Sequence, residues 1–176
     1  MNWCCRIRAQ ILFAAFAALF AAAMPAAAEL KVPHPGEPLP SFSLRDEKGV
    51  YRKIEELQAG RPLVISFFRT DCAPCKEELP HLQALYAKYT GRLAVAMILE
   101  DAEGHKLFEP YRSRHGITFP QFHDAMGIVK VRLGIKALPT VFIVAGDGTI
   151  KDIRLGFDVK KPQEFETAVA ELTGLR

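Results

Sequence analysis

The chain has 176 residues, 49% hydrophobic and 24% charged, the balance of a globular protein with one domain, or one domain and an appendage. That composition excludes a disordered chain and a multi-span membrane protein. Its 23 basic side chains stand against 20 acidic ones, and a net charge of +3 dispersed along the chain excludes a nucleic-acid binder.

In chain order, Arg6 and Arg8 precede an apolar run from Ile11 to Ala23, followed by Pro25 and Ala26-Ala27-Ala28. A basic start, an apolar stretch of about a dozen residues, a helix breaker and small terminal residues mark a secretory signal peptide cleaved after Ala28. The alternative is an uncleaved anchor over Ala9 to Ala28, but Gln10 and Pro25 interrupt it and Ala gains little on transfer to lipid. The expected organisation is a signal peptide over residues 1–28 and a single domain over 29–176. The chain is then exported, and membrane-anchored only if the signal stays. Cys4 and Cys5 precede the apolar stretch, not the position of an acylated cysteine, and leave with it.

Cys72 and Cys75 remain. They are too few for a disulfide framework, and closing so small a loop removes little unfolded-state entropy. Their value is chemical.

The domain opens with an extended, Pro-rich lead-in from Lys31 to Pro40. A strand follows through Phe42 and Leu44, then a turn over Asp46 to Gly49, and a returning strand at Val50-Tyr51. Pro62 to Phe68 is a short apolar run of the kind buried on both faces of a sheet. Immediately after it come Thr70-Asp71-Cys72-Ala73-Pro74-Cys75, then Leu79, Leu82, Leu85 and Tyr89 at helical spacing. The dithiol therefore sits at a strand-to-helix junction. Leu93 to Leu99 repeats the buried-strand pattern, His105 to His115 reads as a surface helix, Phe119 to Phe122 as a short strand and Asp124 to Leu133 as a helix. Thr140 to Ala145, the turn Gly146-Asp147-Gly148 and Thr149 to Arg154 form a hairpin, and Pro162 starts a helix with Phe165, Ala168, Val169 and Leu172 inward. Strands alternating with helices predict an α/β sandwich with helices on both faces of a mixed sheet.

A cysteine just before a helix meets unpaired N–H groups and the positive end of the helix dipole. Thiol pKa values in such motifs fall to roughly 3.5–7.5. Cys72 is then a nucleophile near neutral pH, and Cys75, one turn further in, resolves a mixed disulfide by intramolecular attack. The alternatives are two inert buried cysteines or half of a metal site. A structural zinc site needs four ligands, and the histidines at 34, 81, 105, 115 and 123 form no second paired cluster in the sequence.

Cys72-Ala73-Pro74-Cys75 followed by Pro80, and Leu138-Pro139-Thr140 before a buried strand, resemble the thioredoxin superfamily. Within it, Pro40-Ser41-Phe42-Ser43-Leu44-Arg45-Asp46 with Gly49, Glu78-Leu79-Pro80, and the extra segment from about Glu103 to Phe122 resemble the exported TlpA/ResA-like thiol-disulfide oxidoreductases. The resemblance implies a thioredoxin-like three-layer sandwich with an N-terminal hairpin extension and a central insertion. It implies Pro139 as a cis-proline against the sulfurs, a Leu138 backbone free to pair with a substrate peptide, and Ala73, Pro74 and Thr140 beside it. By the same resemblance Pro80 kinks its helix, and Glu78 modulates the cysteines or relays a proton. A solvated helix carboxylate is the other reading of Glu78. Ser66 stands where ordinary thioredoxins carry a buried acid.

Asp71 departs from the tryptophan that most relatives place before the nucleophile. Its charge opposes a thiolate while that of Arg69 favours one, and Lys76 either supports the thiolate or is simply solvated. The resemblance further implies a periplasmic reductant of protein disulfides, acting in cytochrome c maturation or on metalloprotein thiols. Such a protein needs no bound cofactor and takes electrons from a membrane thiol carrier of the CcdA or DsbD type. Alternatives are a disulfide donor or isomerase of the same fold, a Cu(I)-handling protein, or a peroxiredoxin. The last needs Pro and Thr where Ile65 and Arg69 stand; Thr70 is one residue out of register.

Trp3 is the sole tryptophan. If the signal is cleaved, purified exported protein shows no tryptophan emission, whereas a preparation retaining residues 1–28 does.

Overall fold

The computed structural model describes residues 32–175. The expected signal peptide and its cleavage point lie outside them. The described chain runs β1 (Ser43–Asp46), β2 (Tyr51–Lys53), α1 (Ile54–Gln58), β3 (Leu63–Phe68), α2 (Ala73–Lys88), β4 (Ala94–Leu99), α3 (Gly104–His115), β5 (Gln121–His123), α4 (Ile128–Arg132), β6 (Thr140–Val144), β7 (Ile150–Leu155) and α5 (Pro162–Leu172). The strands form one sheet of order β2-β1-β5-β4-β3-β6-β7. β3, β4 and β5 are parallel, and β6, β7 and the β1–β2 hairpin are antiparallel to their neighbours.

The three layers follow from the period-2 alternation of the central strands. Val64 and Phe68 of β3, Val95, Met97 and Leu99 of β4, and Val141 and Ile143 of β6 pack with α2, α3 and α5. Leu63, Ile65 and Phe67, Ala94, Ala96 and Ile98, and Phe142 and Val144 pack with α1 and α4. Strands covered on both faces have no room for polar alternation, hence their continuous apolar sequence. Ser66 is the exception in β3, fully buried on the α2 side.

The N-terminal extension and the central insertion build one edge together. α3 and β5 come from the insertion, and β1 pairs with β5 through Arg45↔His123 and Asp46↔Phe122. The lead-in is not merely extended: Pro38 bridges Thr149, and Gly36, Glu37 and Leu39 exchange backbone hydrogen bonds with Ile150 and Gly148.

β5 spans Gln121–His123 rather than Phe119 to Phe122, and two helices also differ from the sequence reading. α1 was not anticipated, because five residues are too few to show a helical period; it ends at Ala59 in the left-handed region, φ 48°. α4 begins at Ile128 rather than Asp124. The Asp124 carboxylate accepts the N–H groups of Ile128 and Lys130 at 3.0 and 2.9 Å, so residues 124–127 form a turn that caps the helix.

Gly146 lies where the β6–β7 hairpin crosses the entry to β3, and a β-carbon there would stand 2.5 Å from the Gly60 carbonyl oxygen. Gly146→Ala is expected to destabilise by about 1–3 kcal/mol, the cost of forcing extra volume into a packed contact. Urea unfolding measures it.

Candidate active site

β3 ends at Phe68 and α2 begins at Ala73, so the dithiol loop is anchored on both sides by buried elements. Cys72 is the N-cap of α2, and its Sγ accepts the N–H of Cys75 at 3.3 Å. This capping uses a sulfur where Ser or Asp would ordinarily sit, and it directs the helix N-terminus at the first cysteine. Cys72 and Cys75 are joined in a disulfide with Cα atoms 5.3 Å apart. The two sulfurs are not equivalent: Cys72 is half-buried and Cys75 fully buried. Asp101, just beyond β4, holds the loop, accepting the N–H and the hydroxyl of Thr70 at 3.0 and 2.7 Å. Ala73 is exposed and Pro74 half-buried at the rim.

One turn beyond Cys75, Glu78 is 1% exposed, so the solvated reading of this carboxylate does not hold. Ser66 Oγ donates to its Oε2 at 2.6 Å, and its Oε1 has no hydrogen-bond partner among the described residues. Burial pushes the Glu78 carboxyl up to about 7, against the smaller opposing effect of the Ser66 hydrogen bond. Pro80 lies inside α2, leaving the Lys76 carbonyl without its usual helical donor.

The Leu138–Pro139 peptide is cis. Pro139 is buried, and Leu138 is half-buried against the same core cluster as Cys72. Thr140 Oγ1 donates to the Ala137 carbonyl at 2.7 Å, and the Pro139 carbonyl accepts from Gly156 N at 2.8 Å. Between these tethers, neither the N–H nor the C=O of Leu138 has a partner among the described residues.

Asp71 and Arg69 pair with each other at 2.9 Å, both well exposed. Ile65, one of the two peroxiredoxin test positions, is a core residue of β3. Among the described residues no three His, Cys, Asp or Glu side chains converge as metal ligands.

Glu100 was not singled out from sequence. Burial, reinforced by Asp124, pushes its carboxyl up to about 8, with Lys130 and Arg69 opposing. Its Oε1 is buried without a partner among the described residues. The available signal was an acidic pair, Glu100-Asp101, directly after an apolar strand.

With this geometry in place, the chain belongs to the AhpC/TSA family, whose pattern matches residues 35–153. Thioredoxin-like protein YneN of Bacillus subtilis is 30% identical over 131 residues, 73% of this chain and 76% of that protein. Thiol-disulfide oxidoreductase ResA of Geobacillus kaustophilus is 29% identical, over 73% and 74% of the two chains. A Chlorobium tepidum structure titled as a DsbE thiol:disulfide interchange protein superposes with a TM-score of 0.73 at 21% identity. It covers 79% of this chain and 97% of that one. The fold is thioredoxin-like, and with the Cys72–Cys75 disulfide on it the class is a thiol-disulfide oxidoreductase.

The buried Glu78 carboxyl gives stability a pH dependence of known sign. Its pKa is raised on folding from 4.5 to about 7, so the folded state holds the proton longer. Stability from this group falls as pH rises through that window and is level on either side, a change of up to about 3 kcal/mol. Glu78→Gln removes that slope. The wild-type deficit relative to the variant grows between about pH 5 and pH 8 in urea unfolding.

Proposed function

We propose that this chain is an exported, periplasmic protein-disulfide reductase working through Cys72 and Cys75. The observation that carries the exchange chemistry is the asymmetric disulfide: a half-buried Cys72 at the N-terminus of α2, joined to a buried Cys75, against the same core cluster as Leu138, whose backbone is unpaired among the described residues. In the reduced protein, the helix N-terminus stabilises the Cys72 thiolate. It attacks one sulfur of the substrate disulfide. The substrate S–S bond breaks, one substrate sulfur leaves as a thiolate and takes a proton from solvent, and a Cys72–substrate disulfide forms. Cys75 then loses its proton and attacks Cys72 Sγ. The second substrate thiolate is released, leaving the substrate reduced by two electrons and Cys72–Cys75 oxidised.

Glu78, one turn along α2 from Cys75 and poised near neutrality, is suited to take the Cys75 proton. The substrate main chain pairs with the free N–H and C=O of Leu138, with Pro139 and Thr140 shaping that strip and Ala73 and Pro74 forming the opposite rim. Because a bacterial periplasm is kept oxidising, turnover requires a membrane thiol carrier of the CcdA or DsbD type to return Cys72–Cys75 to the dithiol. Apocytochrome c cysteines or metalloprotein thiols are the substrates this direction serves.

The reduction potential against a defined dithiol buffer tests the direction. A reductase lies near the thioredoxin value of about −270 mV, whereas a value near the DsbA figure of about −120 mV would make the protein an oxidant. Cys72→Ser is expected to abolish exchange, and Cys75→Ser to accumulate a mixed disulfide through Cys72 that is visible by non-reducing electrophoresis.

A further inference from the structure

A groove of about 430 Å³ flanks the dithiol loop, lined by Thr70, Lys76, Leu107, Pro110, Tyr111, Arg114 and His115. It is adjacent to the chemistry: Thr70 precedes Cys72 by two residues, and the N–H of Lys76 bonds the Cys72 carbonyl at 3.2 Å. Its opposite wall is α3, contributed by the central insertion. Leu107, Pro110 and the Tyr111 ring make an apolar floor, with Tyr111 packed edge-on against Phe68 of β3 at 5.2 Å. The charges at its rim share one sign.

Lys76 comes from α2 and Arg114 from α3, and among the described residues no carboxylate lines the groove. Neither cation is engaged in an ion pair among the described residues, whereas the neighbouring Arg112 of α3 is spent on Glu47 and the Ile117 carbonyl. Asp101, behind Thr70, accepts from both the N–H and the hydroxyl of that residue and keeps its charge. Burial first and then that charge raise the Tyr111 phenol, while Arg114 opposes them. The repulsion of Arg114 and Lys76 is also felt at His115, whose pKa is lowered by burial first and then by these two cations. Two basic groups from different elements therefore converge over an apolar floor beside the attacking sulfur.

We propose that this groove docks an acidic segment of the protein substrate next to its target disulfide, with Lys76 and Arg114 reading the charge. The inference rests on the thiol-disulfide reading and adds substrate selection to it. Exposed ion pairs are individually weak and are screened by salt. Two acting together give a preference of about tenfold at low salt, enough to rank substrates without holding the product.

The test compares two synthetic peptides carrying the same disulfide, one flanked by Asp and the other by Lys, reduced by the dithiol form of the protein. The readout is the ratio of kcat/KM values, which cancels any general change in exchange rate. The acidic peptide is expected to react about tenfold faster at low salt, the ratio falling towards one in about 0.5 M salt. Arg114→Glu is expected to erase or invert the ratio and Arg114→Gln to reduce it. Lys88→Glu, about 18 Å further along the helix, is beyond the screening length of about 10 Å at about 0.1 M ionic strength and leaves the ratio measured there unchanged.

Equal rates for both peptides overturn the docking site while leaving the thiol-disulfide reading intact. So does a preference that survives Arg114→Glu or disappears with Lys88→Glu. Failure of both peptides to exchange overturns the reading itself, and the docking site with it.

Discussion

Everything at the site depends on the placement of β3. It is buried on both faces and hydrogen-bonded on both edges, to β4 in parallel and to β6 antiparallel. A strand so enclosed cannot slip, because a one-residue shift would exchange its two faces and expose or clash every side chain. Its end at Phe68 therefore fixes where the chain turns. Only four residues separate that end from α2, so the cysteine at the helix N-cap inherits the rigidity of the sheet. The same lattice brings Thr140 of β6 opposite Phe67, which sets the cis-proline segment at the same end of the sheet.

The buried Ser66–Glu78 pair is an electrostatic departure from the apolar core around it. A carboxylate in this position is destabilised by desolvation, and one hydroxyl donor offsets only part of that cost. The outcome is a carboxyl group balanced between its protonated and ionised forms near neutral pH. The arrangement exchanges stability for a poised titration, and it sits on the same helix as the buried cysteine.

Around this centre the fold separates charge by side. Glu100, Asp101 and Asp124 gather beyond the C-terminal end of β4, and Lys76 and Arg114 line the groove under α3. Between them Arg69 and Asp71 neutralise one another at the surface. The thioredoxin-like scaffold supplies the thiol chemistry, while the inserted α3 adds a wall with its own charge to one side of it.

Local signals in the sequence were sufficient for much of this. The apolar runs of β3, β4 and β6 announce strands buried on both faces. Cys72 and Cys75 after a strand and before a helical period announce the redox site, because the spacing of two cysteines and the start of a helix are properties of neighbouring residues. Glu78 was visible as a candidate, but its burial was not. A carboxylate three residues past a cysteine reads the same whether it faces water or Ser66, and the choice is made by a strand that lies earlier in the chain. α1 was missed because five residues cannot establish a period, and α4 was overextended because Asp124 serves as a cap, a role set by its side-chain hydrogen bonds. The tertiary structure alone decided that the lead-in pairs with β7, that the Leu138 backbone stays unpaired among the described residues, and that Lys76 and Arg114 share one groove. Each of these joins residues distant along the chain, through backbone pairing and packing that no local pattern encodes.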